Sequence, residues 1–285
     1  MLLKTFKTRF QEELSSLYDE QEVASFFYLI LEKLHGLKRI DLALYPETVM
    51  DGSHLKQWKK VLSELKTQKP IQYILGETEF YGLRFEVDEH TLIPRPETEE
   101  LVALILKSIS QDNNENQKTK ILDIGTGSGC IAISLAKNTV NSKIFALDVS
   151  EKALATAKKN ADYHKVDIAF LLQNILETEA FDQHFDIIVS NPPYVRVLEK
   201  AEIKPNVLEY EPHLALFVED NDALLFYRKI SELAIKQLSV NGKLYFEINQ
   251  YLGEQTAALV QAYGFKEVKI HKDVYGNDRM ISAIK

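Results

Sequence analysis

Residues 120–148 read KILDIGTGSGCIAISLAKNTVNSKIFALD. An apolar run, Ile121–Ile124, meets a turn with glycine at 125, 127 and 129. The residues CIAISLAKN then have helical character, and a second apolar run, KIFALD, follows. Strand, glycine turn, helix, strand is how a parallel α/β sheet begins. Glycines at alternate positions of such a turn let the backbone come close to a ligand. The spacing narrows that ligand. A dinucleotide fingerprint needs its third glycine three residues after the second, and Cys130 stands there. A phosphate-binding loop ends in Gly-Lys-Ser/Thr, and this turn has no lysine. Pyrophosphate is therefore a poor fit. Asp148 closes the second strand, where a carboxylate accepts two hydrogen bonds from a ribose diol. The alternative role of helix N-cap falls more naturally to Ser150.

Working outward, the alternation continues to the C-terminus. The further strands are IAFLLQ, FDIIVS, KLYFEI, EVKIHK and RMISAI, with helices over 128–138, 151–163, 222–239 and 253–263. The last two strands lack an intervening helix, so an antiparallel edge pair is expected. Upstream the pattern changes. Phe6, Phe10, Leu14 and Leu17 recur at helical spacing, as do Val23, Phe26, Phe27, Ile30, Leu31 and Leu34, with Gly36 as a C-cap. Val61, Leu62 and Leu65 mark another helix. The stretch from Pro70 to Pro96 alternates, with Gly76 and Gly82 as punctuation, and reads as a β-hairpin or extended connector. Pro96 and the carboxylates of Glu97, Glu99 and Glu100 open a further helix. Residues 111–119 are a polar loop. The expected division is a helical domain over 1–69, a hairpin connector over 70–96 and an α/β domain over 97–285.

Composition sets bounds on function. The 285 residues carry 34 Lys and Arg against 42 Asp and Glu, a formal net charge of −8. Residues 1–75 hold 11 and 10 of these, so the acidity belongs to the rest, with 23 and 32. A general nucleic-acid binder needs a basic face, and this balance argues against one. Cys130 is the single cysteine, which excludes an internal disulfide and a four-cysteine zinc site. It sits at a helix start, where a thiol pKa falls, but reads as small packing filler. His54, His90, His164, His184 and His213 have no metal-type spacing, and no metal is expected. No apolar run approaches the roughly 20 residues that span a bilayer. The N-terminus turns acidic too soon for a signal peptide. A soluble cytoplasmic protein with no membrane partner is expected.

The strand FDIIVS leads directly into Asn191-Pro192-Pro193-Tyr194. Ligands of parallel sheets bind at the carboxyl ends of strands. Two prolines stiffen the segment and remove two N–H donors, leaving carbonyls unpaired locally. The Asn191 side chain adds an acceptor and Tyr194 a flat face. This set suits a planar –NH2 group, a poor nucleophile whose two hydrogens Asn191 Oδ1 and the Pro192 carbonyl would accept. That contact orients the nitrogen and stabilises positive charge developing on it. A proline-stiffened loop in which Asn191 merely caps a turn is the simpler alternative.

DIGTGSG with Asp148 resembles the class I S-adenosylmethionine-dependent methyltransferases. NPPY narrows the resemblance to those that modify –NH2 groups. The helical N-terminal region, the block GETEFYGLRFEVDEHTLIPRPETEELV, the turn DIGTGSGCIA, SNPPYV and YGNDRMI together resemble the protein-(glutamine-N5) methyltransferases of peptide-chain release factors. The likeness covers nearly the whole chain, and IPRPETEELV is its most specific part. It implies a seven-stranded, mostly parallel Rossmann-like methyltransferase sheet behind a helical substrate-recognition domain. It implies S-adenosyl-L-methionine as cofactor, held by Gly125, Thr126, Gly127, Ser128, Gly129, Asp148, Asn191 and, at the adenine, Asn174 and Ile175. An aromatic residue often stands where this chain has Ile175. The implied catalytic residues are Asn191, Pro192 and Tyr194, with Pro193 also against the substrate. That substrate is the glutamine of a Gly-Gly-Gln motif in class-1 release factors, methylated on its side-chain nitrogen by a monomeric enzyme that makes no direct nucleic-acid contact. Arg95 and Glu97 border the site by position, in contact with ligand or simply opening the helix; Glu247 lies near the sheet's carboxyl edge. A nucleic-acid amino methyltransferase would share the glycine turn, Asp148 and NPPY, and a non-catalytic cofactor-binding scaffold would share the first two.

Overall fold

The computed structural model describes residues 1–111 and 118–285. Most of the expected polar loop, 111–119, lies outside the described residues. The chain forms two compact units. One is Met1–Gly76 with Lys204–Tyr210, the other Glu77–Ile203 with Glu211–Lys285.

The first unit is helical: α1 (Leu3–Leu14), α2 (Glu20–His35), α3 (Arg39–Leu44), α4 (Gly52–Leu65) and α5 (Ile71–Leu75). Phe6, Phe10 and Leu14 are buried, as their spacing predicts. Leu17 is 40 % exposed, because α1 ends at Leu14 and the periodicity ends with it. Asp19 caps α2 by accepting from the Glu22 N–H, and Gly36 closes it in the left-handed conformation. Trp58, the only tryptophan, fills the centre, with ring centroids 4.8 Å from Phe27, 5.4 Å from Phe6 and 5.8 Å from Phe10. Its indole N–H donates to His35 Nε2 at 2.9 Å, which satisfies the one polar atom the ring buries. Residues 71–75 are helix where an extended connector was expected. Gly76 closes that turn by donating to the Gln72 carbonyl, and Ile71 packs into the bundle core. Packing overrides the local alternation there.

In the second unit β1 (Glu77–Phe80) and β2 (Leu83–Glu86) form the expected hairpin. Phe80 and Phe85 pack with Leu101, Val102 and Ile105 of α6 (Pro96–Gln111). The main sheet contains β3 (Thr119–Ile124), β4 (Ser142–Asp148), β5 (Ile168–Leu172) and β6 (Phe185–Ser190). A small parallel pair, β7 (Val195–Arg196) and β8 (Phe217–Val218), precedes β9 (Leu238–Glu247), β10 (Lys266–Lys272) and β11 (Asp278–Ile284). The seven strands lie in the order β10-β11-β9-β6-β3-β4-β5. Six run in one direction. β11 runs against them, inserted between β9 and β10.

Alternate residues of the central strands feed two cores. Leu122, Phe145 and Ile188 face one, and Ile121, Ile144 and Ile187 the other. Burial on both faces is why these strands read as continuous apolar runs. Helices α7 (Cys130–Asn138) and α8 (Glu151–His164) follow β3 and β4, and the helix Leu225–Gln237 precedes β9. The chain moves from β3 to β5 in one direction and returns to β6 on the other side of β3. That reversal is the switch point at which open α/β sheets bind ligands. The carboxyl ends of β3, β4, β6 and β9 converge there, bringing Gly125, Asp148, Asn191 and Glu247 to one edge.

Candidate active site

The turn after β3 has φ of +74° at Gly125, +55° at Gly127 and +83° at Gly129, a region that disfavours side chains. The three glycines face different surroundings. A methyl group on Gly125 or Gly127 would meet nothing within 4 Å. On Gly129 it would lie 3.0 Å from Ile133 Cδ1 and 3.2 Å from Ala157 Cβ. The first two therefore border open space, and the third lets α8 pack against the turn. Thr126 and Ser128 are buried beneath. The Thr126 hydroxyl donates to Asp123 Oδ2 at 2.6 Å, and the Ser128 carbonyl accepts from Asn160 Nδ2 at 2.9 Å. Burial pushes the Asp123 carboxyl up to about 7, against the lowering effect of Thr126. Burial also pushes the Cys130 thiol up to about 12, the reverse of what its place at a helix start suggests.

Gly125 and Gly127 line a cavity of about 320 Å³, within the range of small-molecule sites. Asp148 forms part of its wall. Its Oδ2 accepts from the Gly127 N–H and its Oδ1 from the Ser150 N–H, both at 2.9 Å. Burial raises its pKa, and those N–H groups work against the rise. Each carboxylate oxygen keeps a further lone pair for a ligand. Ser150 is the N-cap of α8, accepting from the Ala153 N–H, which frees Asp148 from that role. Asn174 and Ile175, beyond β5, also line the cavity. The Asn174 amide is engaged locally, donating to Glu177 and accepting from the Leu176 N–H. Ile175 presents a buried apolar surface. Glycines that border open space, an unsaturated carboxylate and an apolar wall fit a nucleoside-bearing cofactor.

Asn191, Pro192 and Pro193 continue the wall from β6. Tyr194 is not among the cavity-lining residues; its hydroxyl donates to Glu247 Oε1 at 3.1 Å. Burial raises the Tyr194 pKa, and the Glu247 charge adds to the effect. Asn191 Nδ2 donates to Thr98 Oγ1 at 3.2 Å, and Thr98 Oγ1 donates to Glu247 Oε2 at 2.6 Å. Glu247 is fully enclosed. Desolvation raises its pKa, while the Thr98 and Tyr194 hydroxyls and the Arg279 charge lower it. Thr98, in the first turn of α6, was not singled out by sequence reasoning; IPRPETEELV is the signal that contains it.

Two further walls were also missed. Glu89, His90 and Leu92 come from the segment after the hairpin, and Pro212, Leu214 and Ala215 from the segment before β8. Arg95 pairs with Glu211 at 2.6 Å, and Glu211 also accepts from the Ile93 N–H at 3.2 Å. That pair ties the two walls together and employs Arg95 away from the cavity lining. Among the described residues no three His, Cys, Asp or Glu side chains gather to hold a metal ion, and no helix is long and apolar enough to cross a membrane.

Comparison with known proteins decides the family. A release factor glutamine methyltransferase of Flavobacterium psychrophilum is 64 % identical over 283 residues, 99 % of each chain. This chain belongs to the release factor glutamine methyltransferase family. A family member from Bacteroides thetaiotaomicron is 41 % identical over 96 % of each chain. Two domain models match the chain: the PrmC N-terminal domain over residues 7–76 and the methyltransferase small domain over residues 101–210. Among solved structures, a methyltransferase from Pyrococcus furiosus superposes with a TM-score of 0.50 at 20 % identity, covering 72 % of this chain and 90 % of its own. At that identity the likeness speaks for the fold alone.

Proposed function

We propose that this protein transfers the methyl group of S-adenosyl-L-methionine to the side-chain amide nitrogen of the glutamine in the Gly-Gly-Gln motif of class-1 release factors. Membership of the family supports the substrate. The observation that carries the chemistry is the placing of Asn191 and Pro192 on the wall of the cavity that Gly125, Gly127 and Asp148 also line. When bound, the cofactor supplies an electrophilic methyl group on a sulfonium centre. Asp148 is the residue to hold its ribose, Ile175 to contact its adenine, and Gly125 and Gly127 to admit its methionine part against the backbone. Thr126, Ser128 and Gly129 support that turn from beneath.

A carboxamide nitrogen is a weak nucleophile because its lone pair is delocalised. Acceptance of its two hydrogens by Asn191 Oδ1 and the Pro192 carbonyl fixes its plane and favours the charge that builds on nitrogen as it attacks. With the cofactor bound, this nitrogen would take the methyl group, the cofactor would leave as the neutral thioether, and the methylated nitrogen would give up one proton to water. Pro193 holds the Pro192 carbonyl still. Tyr194 sits behind the Asn-Pro-Pro segment, anchored to Glu247. The same reading takes the enzyme as a cytoplasmic monomer acting on protein, and the net charge of −8 favours protein over nucleic acid.

The test is methyl transfer from labelled cofactor to purified release factor, to the same factor with its motif glutamine replaced, and to rRNA and DNA. Label is expected only on the unaltered factor. Label on nucleic acid alone would overturn the proposal. Asn191→Ala is expected to keep cofactor affinity and lose turnover by about a hundredfold or more, the scale of one lost transition-state contact.

A further inference from the structure

Asn191 is useful only in one of two orientations. Its side-chain amide is nearly symmetric in shape, and rotation by half a turn exchanges acceptor and donor. With Oδ1 toward the substrate it accepts an N–H; with Nδ2 there it opposes that N–H with another. The Pro192 carbonyl has no such freedom, since the ring at 192 and the following proline fix the backbone. Something must choose the orientation at 191.

We propose that Glu247, acting through Thr98, is the positioning residue that locks the Asn191 amide with its oxygen toward the substrate. This rests on the reading of Asn191 as the acceptor of the reacting amide. The hydrogen bonds run in one direction: Asn191 Nδ2 to Thr98 Oγ1 at 3.2 Å, then Thr98 Oγ1 to Glu247 Oε2 at 2.6 Å. The second length is that of a hydroxyl bonded to an ionised oxygen. Thr98 has one proton, and the carboxylate takes it. Its oxygen then has only lone pairs to offer Asn191 and selects the NH2 end. Tyr194 donates to the other oxygen of Glu247 at 3.1 Å, so both carboxylate oxygens are occupied and the group does not turn. Thr98, Asn191 and Glu247 come from α6 and the ends of β6 and β9, and Thr98 and Glu247 are buried, so solvent does not compete for Thr98.

Glu247→Gln is the decisive change because it keeps the shape. An amide at 247 has one oxygen for the two hydroxyls that donate there; with that oxygen kept by Tyr194 its NH2 meets Thr98, the Thr98 proton turns toward Asn191, and Asn191 turns to accept it. The expected result is a fall in kcat of about ten- to a hundredfold, with cofactor Kd within about twofold of wild type. In an Asn191→Ala background the same substitution is expected to cost nothing further, since no amide remains to orient. Thr98→Val should follow Glu247→Gln, and Thr98→Ser, which keeps the hydroxyl, should restore most of kcat. An additive loss in the Asn191→Ala background, or full kcat in Thr98→Val, would overturn the proposal. A second readout needs no acceptor. The side-chain NH2 signal of Asn191, identified by its loss in Asn191→Ala, should show a nuclear Overhauser contact to the Thr98 methyl that disappears in Glu247→Gln. Its absence from the wild type, or its persistence in the variant, would also overturn the lock. A wild type that shows the contact yet methylates no release factor would instead refute the assigned substrate and leave the lock standing.

Discussion

Alanine at Gly127 and at Gly129 should separate what the glycine turn does for the ligand from what it does for the fold. Both positions have positive φ, +55° and +83°, so either alanine carries a left-handed backbone penalty of about 1–2 kcal/mol. Reduced freedom of the unfolded chain returns about 0.4–1 kcal/mol only where the native conformation is unstrained, so little offset applies here. The surroundings then divide the two. In Gly129→Ala the added Cβ would sit 3.0 Å from Ile133 Cδ1, which can swing aside, and 3.2 Å from Ala157 Cβ, which cannot move without α8. Overpacking of that kind adds about 1–3 kcal/mol. The expected loss is therefore about 2–5 kcal/mol for Gly129→Ala and about 1–2 kcal/mol for Gly127→Ala. Ligand binding should show the opposite ranking. The methyl on residue 127 enters space that borders the cavity, so cofactor affinity should fall about tenfold or more, the effect of about 1.4 kcal/mol. Urea unfolding without cofactor, followed by circular dichroism, gives the first quantity, and titration calorimetry of the folded variants gives the second. Equal destabilisation by the two alanines, or unchanged cofactor affinity in Gly127→Ala, would refute the division.

Asp148→Asn places an NH2 group against the N–H of Gly127 or of Ser150 and removes the charge that accepts a diol, so cofactor binding should weaken by about 1.5–3 kcal/mol, read by calorimetry; an unchanged Kd would sink the diol assignment. His35 has its pKa lowered first by burial and next by the His54 charge, and its neutral Nε2 accepts from Trp58. The unfolded chain therefore binds the proton more readily, and stability of the helical unit is complete above the ordinary histidine value of 6.5 and declines as pH falls below it. Urea titrations read by the fluorescence of Trp58 should show lower stability at about pH 5.5 than at about pH 7.5, and His35→Gln should flatten the difference; an unchanged slope in that variant would assign it elsewhere. The kcat of the wild type should show an acid limb above the ordinary glutamate range, because protonated Glu247 donates to Thr98 and releases the Asn191 lock. Burial sets that rise, Thr98, Tyr194 and Arg279 oppose it and the Glu97 charge adds to it, and Glu247→Gln should have no such limb.

The parts of the site visible in sequence are those that a short segment determines. Ile121–Gly129 carries its own strand, turn and helix start, and Asp148 is located by the strand it ends. Asn191–Tyr194 is rigid by composition. The limits appear where distant segments decide. Thr98 meets Glu247 across 149 residues and Asn191 across 93, and nothing near any of the three announces the others. His90 and Leu214 join the cavity wall from segments with neither period 2 nor period 3.6, so no periodicity marks them. Residues 71–75 alternate locally and still form a helix, because Ile71 finds a core to fill. Leu17 kept the period of α1 beyond its end, since a spacing rule contains no information on where a helix stops.

Burying a carboxylate is unfavourable, and an apolar side chain of similar size at 247 would relieve that cost. It would also leave two buried hydroxyls, Thr98 and Tyr194, without an acceptor, which has a cost of its own. Stability alone therefore does not account for Glu247. Direction does. A row of hydroxyls and amides has two self-consistent sets of hydrogen bonds, one the reverse of the other, of similar energy. A group that accepts and never donates fixes the direction needed here, and among side chains the ionised carboxylate is that group. Of the two acceptors that face the reacting amide, the Pro192 carbonyl is fixed by covalent geometry and the Asn191 oxygen is not. The buried acid is connected to the one that could turn.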